Sequence, residues 1–399
     1  MNILQIANKA IYPPDGGSLA ILSLTKGFIK CGRRVHLLNM VTHKHVNNED
    51  IIDDCIKDSL KITGVNVDTK FSFLRVIINF LFSQKPLISQ RFVSQEFRNK
   101  LTGLIKNNTF DFIQIEGLYT LQYISSIRIN YKGNILYRPH NIEYQIWERN
   151  YQESSSFLKR IYFKSLYKRL KKLEKRFLNS YDFLIPISQQ DADKFNKLGN
   201  IKPCIVSPFG IDLKKFNIRM IKEQNNKNQS INYIGALDWI PNQKGLLWFV
   251  DECFSEILKE FPNIKLNIAG RNAPQWLIKK LEHKNIKFIG EVVNAYGFIQ
   301  NPGPIIVPLF SGSGMRVKII ESMALKKTII ATTIAAEGIN CSHKINILLA
   351  NNKVEFINST LSVLNNLNKQ KEIGENAYKF VEKNYGFEKI ASNILNFIK

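Results

Sequence analysis

A chain of 399 residues, 44% hydrophobic and 22% charged, is too long for one core, since single cores rarely grow past about 250–300 residues. Its 56 Lys and Arg against 33 Asp and Glu leave a net charge of +23; such a field attracts nucleic acid, anionic lipid or phosphorylated substrates without choosing among them. Five scattered cysteines without paired spacing argue against a disulfide framework or zinc cluster and fit a reducing, cytosolic compartment.

The opening residues read as a strand running into a loop, not as a basic-then-apolar leader. In the first half, β-branched and apolar runs predict strands at Ile3–Ala7, Val35–Met40, Phe112–Glu116, Ile135–Arg138, Phe183–Pro186 and Ile205–Ser207. The second half adds Ile231–Ile234, Lys265–Ala269, Lys287–Ile289, Ile305–Pro308, Thr328–Ala331 and Ile347–Leu349. Segments with apolar residues at three- and four-residue spacing separate most of them. This alternation predicts an α/β protein with parallel sheets covered by helices on both faces. The polar stretch Ile218–Ser230 reads as a linker or exposed loop. The expectation is therefore two Rossmann-like, doubly wound domains, residues 1–212 and 213–386, facing each other across a cleft.

Three segments admit a plain reading beside a functional one. The greasiest window, Phe71 to Phe82, is interrupted by Arg75 and Asn79 and is too short to span a bilayer. Phe157 to Leu178 reads as a helix with Leu158, Tyr162, Leu166, Leu170, Leu173 and Phe177 on one face and a run of Lys and Arg on the other. That helix is either packed on the core with a solvated basic face, or docked on anionic lipid headgroups beside a lipid-linked acceptor. Asp191-Ala192-Asp193 spells a DxD sequence, but it follows Ser188, the expected N-cap, so its carboxylates favour a helix dipole rather than a metal.

The chemistry concentrates in loops after strands. Ser311-Gly312-Ser313-Gly314 follows an apolar strand and precedes a helix with Lys318 and Glu321. Strand, glycine-rich loop and helix start together make an anion site, because unpaired N–H groups and the positive helix end face the loop. Arg316 and Lys318 add charge where a diphosphate would lie, and Glu321 suits a sugar hydroxyl. Phosphates plus hydroxyls is the chemistry of a nucleotide sugar. A Gly/Ser loop before a helix is also ordinary in α/β proteins, and neither GxxxxGK[ST] nor GxGxxG occurs. After the first strand, Gly16-Gly17 lets a ligand approach the backbone, or simply makes a tight turn with Ser18 near the cap. After the strand ending at Arg138 comes Pro139-His140-Asn141-Ile142-Glu143. His140 stands at a carboxyl end, with Arg138, Asn141 and Glu143 making the loop polar enough for a sugar.

These stretches, with Pro208-Phe209-Gly210-Ile211-Asp212, Ile234-Gly235-Ala236-Leu237-Asp238-Trp239 and Ala336-Glu337-Gly338, resemble in their order the retaining glycosyltransferases of family 4. The resemblance covers nearly the whole chain and implies the GT-B fold, with the closing helix, residues 387–399, crossing back to the first domain. It implies that Gly16 and Gly17 approach the donor's phosphates and that His140 lies beside the transferred sugar. Arg316 and Lys318, with Gly314 and Met315 supplying amides and Arg271 adding charge, would hold the diphosphate. Glu321 would hold the ribose, and Val292 with Val293 would cradle the base. Two positions depart from the pattern. Ser313 stands eight residues before Glu321, where a glutamate is expected, and Ala236 follows Gly235 where an arginine is expected; Lys244-Gly245 lies where a lysine is sought.

The implied reaction moves a sugar from a nucleotide diphosphate sugar to a glycan or lipid-linked acceptor, with no cofactor and no metal. Its setting would be bacterial surface polysaccharide assembly, in the cytoplasm or peripherally on the inner face of the membrane, which would be an anionic partner surface. Another GT-B enzyme, an inverting transferase or a sugar-nucleotide epimerase, is the alternative. A nucleic-acid-binding protein would suit the charge, but no helix-turn-helix, zinc finger or RNP motif occurs, so nucleic acid is not expected as a partner.

Overall fold

The computed structural model describes residues 1–13, 15–48, 52–70, 72–217, 230–312 and 314–399. Pro14, Ser313 and all of the expected linker except Ser230 lie outside the described residues. The chain forms two compact units, one of residues 1–210 with 387–399 and the other of residues 211–386.

The first unit is built on β1 (Asn2–Ala7), β2 (Arg34–Val41), β3 (Leu60–Asn66), β4 (Phe112–Glu116), β5 (Asn134–Arg138) and β6 (Phe183–Leu184). All pair in parallel in the order β3-β2-β1-β4-β5-β6. Parallel strands need crossovers, and helices supply them on both faces. On one face Ile21, Leu24 and Phe28 of the Gly16–Lys30 helix pack with Ile390, Ile394 and Leu395 of the closing helix, Phe387–Phe397. The other face carries a core running from Leu4 and Ile113 to Phe97 and Leu170.

The second unit contains β7 (Ser230–Ile234), β8 (Lys265–Ala269), β9 (Ile286–Gly290), β10 (Ile305–Val307), β11 (Ile329–Ala331) and β12 (Leu348–Leu349). They pair in parallel in the order β12-β11-β10-β7-β8-β9. The two six-stranded sheets thus share one topology, and this bears out the expectation of two Rossmann-like folds. In each, strand order reverses once, between β1 and β4 and between β7 and β10. At such a switch point consecutive connections leave on opposite faces and open a crevice beyond the carboxyl ends of the strands.

Three local expectations fail for physical reasons. The sequence left β3 unassigned, because an edge strand with exposed Lys61 and Asn66 lacks a continuous apolar signal. Ile205–Ser207 is not a strand. It runs beside β6, with Ile205 N donating to Leu184 O at 3.1 Å and Ser207 N to Pro186 O at 2.8 Å, but prolines 186, 203 and 208 have no N–H to continue a ladder. Leu158 is not on the packed face of its helix (Phe157–Phe177); it is 77% exposed. Ser188 does cap the Gln189–Leu198 helix, accepting from Asp191 N.

Candidate active site

In the first unit the carboxyl ends at the switch point hold a buried polar network. Gln5, Gln114 and Glu116 share one face of adjacent strands, since Gln5 pairs with Gln114 and side chains alternate along a strand. One oxygen of Glu116 accepts from Gln5 Nε2 at 2.7 Å and from Gln114; the other takes Arg138 Nη1 at 3.3 Å and His140 Nε2 at 2.6 Å. Glu116 is fully buried and Arg138 is 1% exposed. Burial alone would raise the Glu116 pKa, but Arg138, His140 and Gln5 outweigh it and hold the carboxyl at about 2. Burial, against the pull of Glu116, lowers His140 below the ordinary imidazole range. A neutral imidazole facing an ionised carboxylate carries its proton on the nitrogen that faces it. Nε2–H therefore donates to Glu116 and Nδ1 is the ring's acceptor.

This geometry corrects the reading of the loop around His140. Arg138 does not face a sugar; it is inside, bound to Glu116 and donating to Ala20 O at 3.3 Å. Glu143 accepts from Tyr119 Oη at 2.8 Å. The helix that begins at Glu143 (Glu143–Glu153) is capped by Glu174, which accepts from Glu143 N at 3.0 Å and Tyr144 N at 3.2 Å. Burial raises the Glu174 pKa to about 8 against those two bonds.

Gly16 and Gly17 open the Gly16–Lys30 helix; its cap is Asp15, with Ser18 near it at the third helical position. Asp15 accepts from Ser18 N at 2.8 Å while its own N–H donates to Ser18 Oγ at 2.7 Å, a reciprocal capping box. The same carboxylate is held by Lys9 Nζ at 2.8 Å and His45 Nε2 at 3.1 Å. Burial opposes ionisation, but His45 and Lys9 hold Asp15 far below the usual carboxylate range. A Cβ on Gly17 would stand 2.6 Å from Lys9 Nζ, so the glycine leaves room for that cation. The charge of Lys9 is felt at His140 and Glu143 as well. Sequence reasoning missed Lys9, Asp15, His45 and Glu116. Two polar residues at alternate positions of the buried run Phe112–Glu116 were the signal for the last of these.

In the second unit the switch point carries Gly314, Met315, Arg316, Lys318 and Glu321, about half of the residues predicted for the donor. Gly312 and Gly314 take φ of +116° and +83°, backbone open to glycine and strained for other residues. Arg316, just ahead of the Val317–Ala324 helix, donates to Gly314 O at 2.7 Å and lies over the Trp239 ring at 5.3 Å. Met315 is half-buried between them. Lys318 reaches back to the end of β7, where Nζ donates to Ile234 O at 2.9 Å and sits 5.0 Å above the Tyr233 ring. A Cβ on Gly235 would stand 3.1 Å from that Nζ. The cation beside Gly235 is therefore Lys318, while Lys244 is exposed on the Ile240–Trp248 helix. Burial, with the charge of Arg316, lowers the Lys318 pKa to about 7. Glu321, one turn further on, accepts from Tyr296 Oη at 3.1 Å, and burial raises its pKa to about 7. Arg271 is exposed just past β8 and Val292 half-buried just past β9, along the same sheet edge but not in the Arg316–Lys318 cluster. Gly16, Gly17 and His140 belong to the other unit. Among the described residues no group of His, Cys, Asp and Glu could hold a metal ion, and no helix is long and apolar enough to cross a membrane.

Comparison with known proteins places this geometry. Residues 228–366 match the family described as Glycosyl transferases group 1. An uncharacterised 44.6 kDa protein in the cps region of Klebsiella pneumoniae is 27% identical, with 98% of each chain covered. Among solved structures, Anabaena HepE in complex with UDP matches with a TM-score of 0.68 at 14% identity, covering 99% of each chain. Sucrose-phosphate synthase from Thermosynechococcus elongatus matches at 0.71 and 13% identity, over 99% of this chain and 98% of that one. TarM matches at 0.69 and 11% identity, over 100% and 98%. Two Rossmann-like units and a group 1 domain define the class: the chain is a glycosyltransferase with the GT-B fold. The group 1 domain lies in the second unit, the one that carries Arg316, Lys318 and Glu321.

Proposed function

We propose that the protein is a retaining glycosyltransferase of family 4 that moves a sugar from a nucleotide diphosphate sugar to a glycan or lipid-linked acceptor in surface polysaccharide assembly. The observation that carries this reading is the turn from Ser311 to Lys318. Left-handed glycines, a helix start and two cations converge there at a switch point, with a carboxylate one turn on. The diphosphate takes Arg316 and Lys318 with the amides of Gly314 and Met315, and Glu321 takes the ribose hydroxyls. Arg271 adds charge and Val292 borders the base. In the first unit, Gly16, Gly17 and His140 serve the donor's phosphates and the transferred sugar. The cps setting of the Klebsiella relative supports the polysaccharide role, and the UDP and UDP-glucose held by HepE support a nucleotide-sugar donor.

In the reaction the bond from the anomeric carbon to the diphosphate oxygen breaks and one from that carbon to the acceptor oxygen forms on the same face. The acceptor's proton passes to an oxygen of the departing diphosphate. Negative charge grows on the diphosphate as the bond breaks, so preorganised amides and cations bind the transition state more tightly than the ground state. The cations this needs are the protein's own, and neither a metal nor a cofactor enters the scheme.

A thermal-shift panel of nucleotide diphosphate sugars is expected to select one donor, since a ligand at a hundred times its Kd adds about 2.7 kcal/mol of stability. Arg316→Ala is expected to remove that shift while the unliganded Tm stays close to wild type. NMR of the product made with the selected donor then reads the anomeric configuration, retained under this proposal. A panel that shifts nothing, or an Arg316→Ala protein that responds like wild type, would overturn the placement of the diphosphate.

A further inference from the structure

The Phe73–Phe82 helix is mounted inside out. Leu74, Ile77, Ile78, Leu81 and Phe82 recur at the spacing of one helical face, and all five are exposed, Leu81 by 62% and Phe82 by 82%. Val76, Asn79 and Phe80 are the half-buried residues on the helix's other side. Arg169 of the Phe157–Phe177 helix donates to Asn79 O at 3.0 Å and Phe80 O at 2.7 Å, satisfying carbonyls at the end of the Phe73–Phe82 helix. Phe80 meets Tyr162 with ring centroids 5.9 Å apart. The adjoining helix also begins with bare apolar groups: Phe157 is 75% exposed and Leu158 77%. Patches of this kind on a soluble surface mark contact with a partner or a membrane.

The charge around the patch indicates which. No Asp or Glu occurs from Thr69 to Gln95 or from Ser154 to Leu173. Lys70 and Lys85 flank the first helix, and Lys159, Arg160 and Lys164 are exposed on the second. Exposed Asp68 and Glu153 stand just outside those two segments, but within them the only charges beside the apolar side chains are cations, which complements an acyl layer beneath anionic headgroups. Ten residues of helix reach roughly 15 Å, half a hydrocarbon core, which suits lying in the interface rather than crossing it. We infer that the Phe73–Phe82 helix docks this protein on an anionic lipid bilayer, its outward stripe in the acyl boundary and the Lys and Arg of its flanks on the headgroups. The surface differs from the basic flank that the sequence singled out: the apolar stripe carries the contact and the basic residues of the Phe157–Phe177 helix assist. The inference rests on the proposed lipid-linked acceptor for its purpose, but lipid binding is measurable without donor or acceptor.

The test is co-sedimentation of the full chain with phosphatidylcholine vesicles and with vesicles that also contain phosphatidylglycerol. Binding to the anionic vesicles is expected to exceed binding to the neutral ones by at least about tenfold and to weaken with salt. The double variant Leu81→Asp, Phe82→Asp should lose at least about tenfold in that binding, and Lys159→Glu with Lys164→Glu should flatten the salt dependence. Each should keep the wild-type Tm and the wild-type response to nucleotide sugars. Absence of binding to anionic vesicles would overturn the inference, as would a Leu81→Asp, Phe82→Asp protein that binds like wild type. A stable dimer in light scattering that this variant dissolves would assign the patch to a second copy and overturn it too. If instead lipid binding holds and the nucleotide-sugar panel is blank, the donor reading fails alone.

Discussion

Lys318→Met is expected to weaken donor binding by about ten- to a hundredfold, the loss of a charge-assisted bond to phosphate, and at the same time to raise the Tm of the unliganded protein. The two effects share one cause. Burial and the neighbouring Arg316 hold the Lys318 pKa at about 7 against an ordinary 10.5. A lysine whose folded pKa lies below its unfolded value is protonated more readily when unfolded, so it destabilises the fold. That penalty is absent above the unfolded pKa and grows as pH falls, until it is complete below about 7. Methionine fills a similar volume without the charge. A gain of roughly 1–2 kcal/mol, a few degrees in Tm, is expected at pH 7 and should fade towards pH 10. A Lys318→Met protein with lower stability and unaltered donor affinity would show that the amine serves packing and not the ligand.

The same groups dictate a proton signature for binding. A bound diphosphate favours charged Lys318, so the complex takes up a proton above pH 7, and affinity falls as pH rises through that window. Glu321 works in the opposite direction. Its folded pKa is raised to about 7 by burial, against the bond from Tyr296, and ribose hydroxyls donating to it favour the carboxylate, so below pH 7 binding releases a proton. Calorimetry in buffers of different ionisation enthalpy is expected to read net uptake near pH 8.5 and net release near pH 6. Lys318→Met should abolish only the first and Glu321→Gln only the second.

The parts that sequence revealed well were those fixed by local rules. Apolar runs place the central strands because a strand buried on both faces must be apolar, and the turn from Ser311 to Lys318 announces itself through glycines and cations packed into eight positions. Edge elements were less legible. The strand Leu60–Asn66 is half solvated, and the extended run at 205–207 carries a strand's composition without a ladder. The site in the first unit was hidden for another reason, since its partners are far apart in the chain. Glu116 meets Gln5 across 111 residues and His140 across 24, and only the parallel register brings them to one edge. Arg138 was visible but misread, because a charged residue at a strand end looks like a loop residue until its buried partner is known.

Replacing that partner should have the second large effect. Glu116→Gln keeps the side chain's shape but changes what His140 can offer. Gln5 and Gln114 both donate to one oxygen of Glu116. A glutamine would keep its carbonyl there and turn its amide towards Arg138 and His140. Facing a donor, His140 must present a lone pair from Nε2, which puts its proton on Nδ1. The nitrogen that accepted now donates, and the bond proposed between it and the sugar would be inverted. Turnover is expected to fall by about a hundredfold or more, while donor affinity, which the proposed diphosphate contacts of Arg316 and Lys318 would dominate, changes far less. Arg138 loses its counter-charge in a buried site, which should cost about 3–5 kcal/mol of stability, so the comparison is made well below the lowered Tm. His140→Ala gives the control. If Glu116 acts through His140, the double variant should be no slower than His140→Ala alone, whereas independent effects would multiply. Multiplied losses would assign Glu116 to holding Arg138 and the β1–β4 crevice, and would remove it from the path to the sugar.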